Sequence, residues 1–163
     1  MSLKIFPAWN HEDEIRALFT EYTAMLVAGD SYFQIYLDIQ NYEHEFEHLD
    51  EKYGEPEGRL YLAEWDGETA GCVALRKLDD ERCELKRLYV RPAFRGHGIG
   101  RELTETVIRD AKEIGYQKML LDTLPFLESA QRMYRGMGFH EIPCYNDSPM
   151  DTTIFMQLEL NQA

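Results

Sequence analysis

Cysteine, basic residues and long apolar runs are all scarce in this chain of 163 residues. Its cysteines, Cys72, Cys83 and Cys144, are odd in number and lie at no metal-ligand spacing, so we interpret them as buried or idle thiols and not as a disulfide framework. No apolar run approaches the length that crosses a bilayer, and no charged segment followed by an apolar one suggests a secretion signal. We therefore expect no membrane association and a cytoplasmic location.

Acidic residues outnumber basic ones by 30 to 17, which gives a formal net charge of −13. That charge repels phosphate groups, so nucleic acid and anionic membranes are not expected as partners. A cationic small molecule is electrostatically easier, and an acidic segment over 43–51 favours the same choice. The length and the 44% hydrophobic content are typical of a single globular domain, here 1–163, with a buried core.

Apolar periodicity predicts the element order β-α-α-β-β-β-α-β-α-β-β. A strand over 3–6 precedes a helix that starts at the N-cap Asn10 and ends at Gly29, and a second helix covers 39–53. Later strands are predicted over 60–65, 69–78, 82–90, 119–122, 139–142 and 153–160, and later helices over 99–114 and 128–137. The fold class is α+β, a mixed α/β sandwich in which about four helices flank a mostly antiparallel sheet of about seven strands. Only the connection from 82–90 to 119–122 requires a parallel, right-handed crossover.

A glycine-rich turn joins the strand over 82–90 to the helix over 99–114, with the sequence Arg95-Gly96-His97-Gly98-Ile99-Gly100-Arg101. Glycines let successive backbone N–H groups point inward, and a helix N-terminus adds the positive end of its dipole. An arginine stands at each end of the turn. The pattern predicts a pyrophosphate-binding turn, with a turn that only serves packing as the alternative.

A dinucleotide-binding fold is the nearest competitor for the same residues, because Asp122 also ends the next predicted strand. Its fingerprint needs a third glycine at position 101, which is Arg101 here, and it opens a series of βαβ units. This turn instead follows an antiparallel meander. The sequence therefore disfavours that fold.

The segment 84–92, which reads ELKRLYVRP, and the glycine turn closely resemble the cofactor motif of the GNAT superfamily, the acetyl-coenzyme A dependent N-acetyltransferases. Ala130, Tyr134, Gly138 and Phe139 are similar to a later motif of that superfamily. The resemblance spans 59–160 and implies the acyl-coenzyme A N-acyltransferase fold. It also implies transfer of the acetyl group of acetyl-coenzyme A to a primary amine of a small molecule or peptide, by direct attack in a ternary complex. It implies no metal, and a homodimer is expected because dimers are frequent in the superfamily.

The strand over 82–90 places apolar residues at Leu85 and then at Leu88 and Val90, so its alternation slips by one residue. This slip predicts a β-bulge near Lys86 or Arg87. Such a bulge would splay the strand from its parallel neighbour and free the backbone groups of 88–90 for the pantetheine arm. A backbone N–H at or beside Leu88 would then polarise the thioester carbonyl.

The resemblance implies a wider set of cofactor-binding residues along the strand, the turn and the following helix start. In this sequence they are Leu88, Tyr89, Val90, Arg95, Gly96, His97, Gly98, Ile99, Gly100, Arg101 and Ser129. Ser129 is included as a substitute for an asparagine that relatives often carry where this chain has Leu127.

Two residues are predicted to transfer protons. Tyr134 resembles the superfamily tyrosine beside the coenzyme sulfur, and a phenol with an ordinary pKa of about 10 suits a thiolate whose thiol has a pKa of about 8.5. Glu84 occupies the strand position where many relatives carry a carboxylate that acts as base, directly or through water. The alternatives are a packed aromatic for Tyr134 and an ion-paired neighbour of Lys86 or Arg82 for Glu84.

A zinc hydrolase is the alternative from another enzyme class, because His44-Glu45-Phe46-Glu47-His48 matches the HExxH pattern. Only His140 and Glu141 are clustered downstream as sources of a third ligand, and a solvated acidic helix face also explains the run. A non-catalytic module that binds acyl-coenzyme A is a third hypothesis. The presence of Tyr134 and Glu84 weighs against it.

Overall fold

The computed structural model describes residues 2–160, which form a seven-stranded sheet with helices on both faces. The spatial order of the strands is β1-β2-β3-β4-β5-β7-β6, and only β4 and β5 run parallel. This confirms the predicted mixed, mostly antiparallel sheet with a single parallel crossover. The strands are β1 (Leu3–Pro7), β2 (Arg59–Trp65), β3 (Glu68–Lys77), β4 (Arg82–Val90), β5 (Lys118–Thr123), β6 (His140–Ile142) and β7 (Ile154–Glu159).

Six α-helices occur among the described residues, more than the four that the sequence predicts. They are α1 (Glu12–Gly29), α2 (Phe33–Ile39), α3 (Tyr42–Glu47), α4 (Leu49–Tyr53), α5 (Ile99–Ile114) and α6 (Glu128–Gly136), with a 3₁₀ turn over Pro92–Phe94. None of them has the length and apolar character that crossing a bilayer requires.

Two predictions about the first helices are wrong. The single helix over 39–53 is two short helices, because Asn41 has a φ of 57° and His48 a φ of −131°, and an α-helix continues through neither angle. A separate helix, α2, comes before them. Asn10 is not the N-cap of α1 either: it has a φ of 81°, and His11 occupies the cap position without a side-chain hydrogen bond.

The two long helices cover opposite faces of the sheet. α5 packs fully buried Leu103, Val107 and Ala111 onto β3 and β4. α1 packs Ile15 and Leu18 onto the other face. Burial of an aliphatic side chain of this size stabilises a fold by about 1.5–3 kcal/mol, so these contacts hold the start of α5 firmly against the end of β4.

A bulge interrupts β4 near its middle. Cys72 of β3 pairs with Tyr89 and Ala74 pairs with Lys86, so one residue of β3 faces two residues of β4. Within the bulge Arg87 has a φ of 57°, and it turns to the same face of the sheet as Lys86. The predicted bulge near Lys86 or Arg87 is confirmed.

β4 and β5 diverge shortly before the bulge. Their pairing joins Arg82–Glu84 to Lys118–Leu120 and goes no further among the described residues. From Leu85 onward the two parallel strands separate, as the sequence predicts. The gap between them leads toward the glycine turn.

Candidate active site

A cavity of about 590 Å³ occupies the gap between β4 and β5. The bulged half of β4 and the glycine turn form one wall, and the end of β5 with the first turns of α6 forms another. Residues of α1 and α2 complete the lining, and Met25 of α1 contacts Arg95 of the turn. One continuous space therefore connects the glycine turn with the point where the strands diverge.

The glycine turn presents open backbone at the start of α5. Gly96 and Gly98 have φ angles of 88° and 77°, a region that favours glycine, and a Cβ added at either would meet no atom within 4 Å. Gly98 is also the N-cap of α5, so the free N–H groups of a 16-residue helix begin here. Ile99, Gly100 and Arg101 line the cavity beside it. Open N–H groups at a helix N-terminus form an anion site suited to a pyrophosphate.

The charged and aromatic side chains of the turn each contact a different part of the structure. Arg95 is exposed and donates from Nε to the Val90 carbonyl at 3.1 Å. Arg101 is exposed and pairs with Glu105 at 3.0 Å. The His97 ring lies off the cavity and stacks on a tryptophan of β2 with centroids 4.5 Å apart.

The bulged end of β4 contributes Leu88, Tyr89 and Val90 to the cavity wall. The prediction that the backbone groups of 88–90 are all unpaired is wrong in part, because Tyr89 and Val90 pair with Cys72 and Gly71 of β3. The Val90 carbonyl also accepts the hydrogen bond from Arg95. The edge of this segment that faces β5 makes no strand pairing within residues 2–160. The side of 88–90 that faces β5 is therefore open to the cavity apart from that carbonyl.

Helix α6 places Tyr134 in the cavity wall, where 5% of its surface is exposed. Burial, together with the nearby Tyr22 and Asp122, raises the pKa of Tyr134, so the phenol keeps its proton at neutral pH. Ser129 also lines the cavity, and its hydroxyl accepts a hydrogen bond at 3.2 Å from an arginine one turn later. Leu127 is the N-cap of α6 and makes no side-chain cap.

Glu84 lies outside the cavity lining, with 2% of its surface exposed. Its carboxylate accepts hydrogen bonds from Arg76 Nε at 2.7 Å and from the Tyr145 hydroxyl at 2.6 Å. Burial raises the pKa of Glu84, but Lys86, Arg76 and these hydrogen bonds outweigh it and hold the pKa below its ordinary value. The structure therefore does not bring Glu84 to the wall beside Tyr134, and its role as base stays a prediction.

Two carboxylates do line the cavity, that of Asp122 at the end of β5 and that of the exposed Glu128 at the start of α6. Asp122 is the one on the strand that diverges from β4. It accepts hydrogen bonds from the Tyr36 hydroxyl and from Asn146 Nδ2, the latter at 3.0 Å. The sequence marks Asp122 only through the dinucleotide alternative. Its place in the cavity depends on the divergence of β5 from β4, and on chain segments far apart in sequence.

Lys86 and Arg87 are buried cations that the sequence analysis assigned no role, with exposures of 7% and 5%. Arg87 donates to both oxygens of Glu45, from Nε at 2.9 Å and from Nη2 at 2.9 Å. Lys86 Nζ donates to Gln40 Oε1 at 2.7 Å. The slip in the alternation of β4 was the available signal, because a bulge turns two consecutive residues to one face.

The HExxH segment does not form a zinc-protease site. Glu45 would have to activate water, but it is 3% exposed and is bound by Arg87, Lys52 and Tyr53. His48 lies beyond the end of α3, and His44 contacts Glu51. No group of three or more metal-ligating side chains occurs in residues 2–160.

A parallel strand pair that splays at a bulge, beside an open glycine turn at a helix N-terminus, defines the class of acyltransferases that use coenzyme A thioesters. Residues 29–139 match the sequence profile of the Acetyltransferase (GNAT) family. An uncharacterized N-acetyltransferase of Dictyostelium discoideum is 32% identical over 98% of this chain and 100% of its own length. Another, of Schizosaccharomyces pombe, is 37% identical over 80% of this chain and 81% of its own length. The chain therefore belongs to the GNAT family of acetyltransferases.

Solved structures agree with this assignment. A GNAT-family acetyltransferase of Staphylococcus aureus Mu50 superposes with a TM-score of 0.76, covering 98% of this chain and 100% of that one at 24% identity. A GNAT-family acetyltransferase of Elizabethkingia anophelis with acetyl-coenzyme A bound has a TM-score of 0.54 at 28% identity, covering 63% of this chain and 76% of that one. The predicted family, fold and acyltransferase activity are confirmed.

Proposed function

We propose that this protein transfers the acetyl group of acetyl-coenzyme A to a primary amine of a small molecule or peptide in a ternary complex. The observation that carries the proposal is the single cavity that joins the open glycine turn, the free edge of β4 and Tyr134. A relative with acetyl-coenzyme A bound supports the choice of acyl donor. The predictions of one domain, a homodimer and a cytoplasmic location remain predictions.

The residues of the turn and of β4 fit the coenzyme. Backbone N–H groups over 96–101 would hold the pyrophosphate, because both positive-φ glycines leave the turn open. Arg95 and Arg101 would add charge at its two ends. The free edge over 88–90 would hold the pantetheine arm, and Ser129 would contact it from α6. A strand rises about 3.3 Å per residue, so this edge leads from the turn toward the bulge.

The bound thioester would supply the acetyl group, with a C–N bond formed to the amine and the C–S bond broken. The Leu88 N–H would donate to the oxygen that gains negative charge, as an oxyanion donor does. Tyr134 would hold a proton at its phenol oxygen and give it to the departing sulfur. Its raised pKa keeps the phenol protonated at neutral pH, so a proton would be present for the sulfur as the C–S bond breaks.

A carboxylate must take the proton that the amine nitrogen loses. Asp122 lines the cavity, whereas Glu84 lies outside its lining, with its carboxylate engaged by Arg76 and Tyr145. We therefore assign the proton transfer to Asp122 and keep Glu84 as the alternative from the sequence. Separate substitutions of Asp122 and Glu84 would show which of the two carboxylates takes the proton.

A screen of primary amines with acetyl-coenzyme A, which reads free thiol, tests the proposal. Replacement Tyr134→Phe should lower kcat by about 10²-fold or more, the usual contribution of a general acid, with the Kd for coenzyme A unchanged by calorimetry. Tyr116→Phe is the matched control, because this buried phenol bonds to a backbone carbonyl outside the cavity.

Three outcomes decide between the candidate functions. Absence of coenzyme A binding by the folded protein would overturn the proposal. Binding without thiol release from any amine would favour the non-catalytic module. An unchanged kcat in Tyr134→Phe would remove Tyr134 from the mechanism and leave the transferase assignment in place.

A further inference from the structure

Lys86 and Asp122 occupy equivalent positions on the two strands that diverge. The last pair between β4 and β5 joins Glu84 to Leu120, and each of these two residues lies two positions further along its strand. Side chains two residues apart share a face of a sheet, and partners in a parallel register do so as well. Lys86 and Asp122 therefore lie on the same face, on opposite sides of the gap, and both line the cavity.

Lys86 has more hydrogen-bond donors than partners. Its ammonium offers three donors, but it makes one hydrogen bond, to Gln40, and lies 3.9 Å from a Glu84 carboxylate that Arg76 and Tyr145 already engage. Burial lowers the pKa of Lys86, and Glu84 and Asp122 oppose that effect. Gln40 Nε2 is buried without an acceptor. A buried cation beside a second unpaired donor is costly unless an anion is supplied from elsewhere.

Asp122, in contrast, is an anion without a cationic partner. Its oxygens accept from Tyr36 and Asn146, both neutral, and it forms no ion pair with any described residue, Lys86 included. Arg87, the other buried cation nearby, is already neutralised by Glu45. The acceptor end of the cavity thus holds one cation and one anion that face each other across a gap without contact.

We infer that the amine acceptor carries an anionic group, a carboxylate or a phosphate, close to its amine. Lys86 and Gln40 bind the anion, and Asp122 faces the amine. The inference rests on the proposed transferase function. Only Arg87 separates Lys86 from Leu88, so an anion bound at Lys86 would lie near the backbone N–H proposed to polarise the thioester carbonyl.

This differs from the expectation of a cationic acceptor, which came from the acidic segment over 43–51. The buried carboxylate of that segment, Glu45, is used by Arg87 and Lys52. Glu43, Glu47 and Glu51 are exposed, and none of them lines the cavity. The charge that an acceptor meets inside the cavity is therefore balanced, although the whole chain is acidic.

Matched sets of amines test the inference on the wild-type protein. The probes are the L-amino acids, their carboxamides and the amines without a carboxyl group, together with O-phosphoethanolamine against ethanolamine. We expect kcat/KM at least about tenfold higher for the anionic member of the preferred set, which corresponds to about 1.4 kcal/mol. The two anionic series distinguish carboxylate from phosphate. Equal or better use of neutral amides or polyamines would overturn the inference and leave the transferase function intact.

Replacement Lys86→Met removes the charge and keeps the length of the side chain. It should raise KM for the anionic acceptor about tenfold or more, change kcat little, and leave KM for the matching neutral amine unchanged. Lys118→Met is the control, because this half-buried lysine belongs to the same pair of parallel strands but lies outside the cavity. An equal loss for both acceptors in Lys86→Met would show a structural role only.

Gln40→Leu provides a second variant if Lys86→Met does not fold, and it should raise the same KM selectively. Calorimetry of the preferred anionic probe into coenzyme A-saturated protein gives a readout independent of turnover. Binding that Lys86→Met or Gln40→Leu abolishes would support the anion site even if no amine were acetylated. Absence of binding together with absence of turnover would reject both the site and the proposed function.

Discussion

The two ends of the cavity are built in different ways. The end that we propose for the cofactor is a contiguous segment, 88–101, which presents open backbone to the cavity while the charged side chains Arg95 and Arg101 are exposed. The acceptor end is assembled from side chains on separate parts of the chain: Gln40, Lys86, Asp122 and Asn146. A backbone-built end can bind one constant ligand, whereas an end built from side chains can change its acceptor by a few substitutions.

The acceptor end also depends on a buried ionic network that the cofactor end lacks. Arg87 and Glu45 form a two-point ion pair in which both side chains are nearly inaccessible, at 3% and 2% exposed. The Arg87 carbonyl accepts a hydrogen bond from Cys72 Sγ at 3.3 Å, which links the pair to β3. The network therefore ties the bulge of β4 to α3, and the position of Lys86 depends on it.

Loss of the Glu45 charge should have the largest effect on stability. It tests whether the buried ion pair holds the acceptor end in place. Glu45→Gln leaves the Arg87 guanidinium buried and uncompensated, and breaking a buried pair in this way typically costs about 3–5 kcal/mol. The free energy of unfolding, measured by urea denaturation, should fall by that amount. Glu47→Gln, on the exposed side of the same helix, should change it by less than about 0.5 kcal/mol. Equal effects of both variants would show that the pair does not hold the acceptor end.

The pH dependence of stability follows from the same pair. Burial raises the pKa of Glu45, but Arg87 and Lys52 outweigh it and hold the pKa well below the ordinary value. The contribution of Glu45 is therefore complete above the unfolded-state pKa of about 4.3 and is lost as the pH falls through the folded-state pKa. The difference in unfolding free energy between wild type and Glu45→Gln should be constant near neutral pH and shrink only in acid.

Substitution of the carboxylates on β4 and β5 should have the next largest effect, and it should appear in kcat. Asp122→Asn should lower kcat at saturating acceptor by about 10²-fold, or about 2.7 kcal/mol. The other carboxylate of the described lining, Glu128, is exposed at the start of α6 and not on the strand opposite the bulge. Glu84→Gln should lower kcat far less. The coenzyme Kd of both variants, from calorimetry, controls for folding. A larger loss of kcat in Glu84→Gln would return the role of base to Glu84.

The contrast between the two ends also explains what the sequence could predict. The glycine turn and the slip at Leu85 and Leu88 are local patterns, and each corresponds to a feature of the structure. The segment over 33–53 was predicted poorly because Asn41 takes a positive φ and Glu45 turns inward to Arg87. The partner of Glu45, Arg87, is 42 residues away in the sequence. Neither apolar periodicity nor capping residues can reveal such a contact.

Local sequence patterns also could not predict the surroundings of Glu84 or the side chains at the acceptor end. A strand position alone predicts that Glu84 is near the reaction, but Tyr145 and Arg76 engage it, and Tyr145 comes from a loop whose path no local pattern fixes. Asp122 enters the cavity only because its strand separates from β4 after Leu120. Local sequence patterns therefore predict the glycine turn and the bulge, whereas tertiary contacts determine which side chains lie beside them.

The smallest expected effect on stability tests the cofactor end. Gly98 and Gly67 have φ angles of 77° and 84° and no atom within 4 Å of an added Cβ, so alanine at either position strains the backbone without a clash. Each replacement should cost about 1–2 kcal/mol of unfolding free energy, the usual penalty for a left-handed non-glycine residue. Only Gly98→Ala should also weaken coenzyme A binding, by about tenfold in Kd, because Gly67 lies in the β2–β3 hairpin away from the cavity. If the two variants lost stability equally and both kept wild-type affinity in calorimetry, the glycine turn would be a packing turn, and the cofactor end would have to be placed elsewhere.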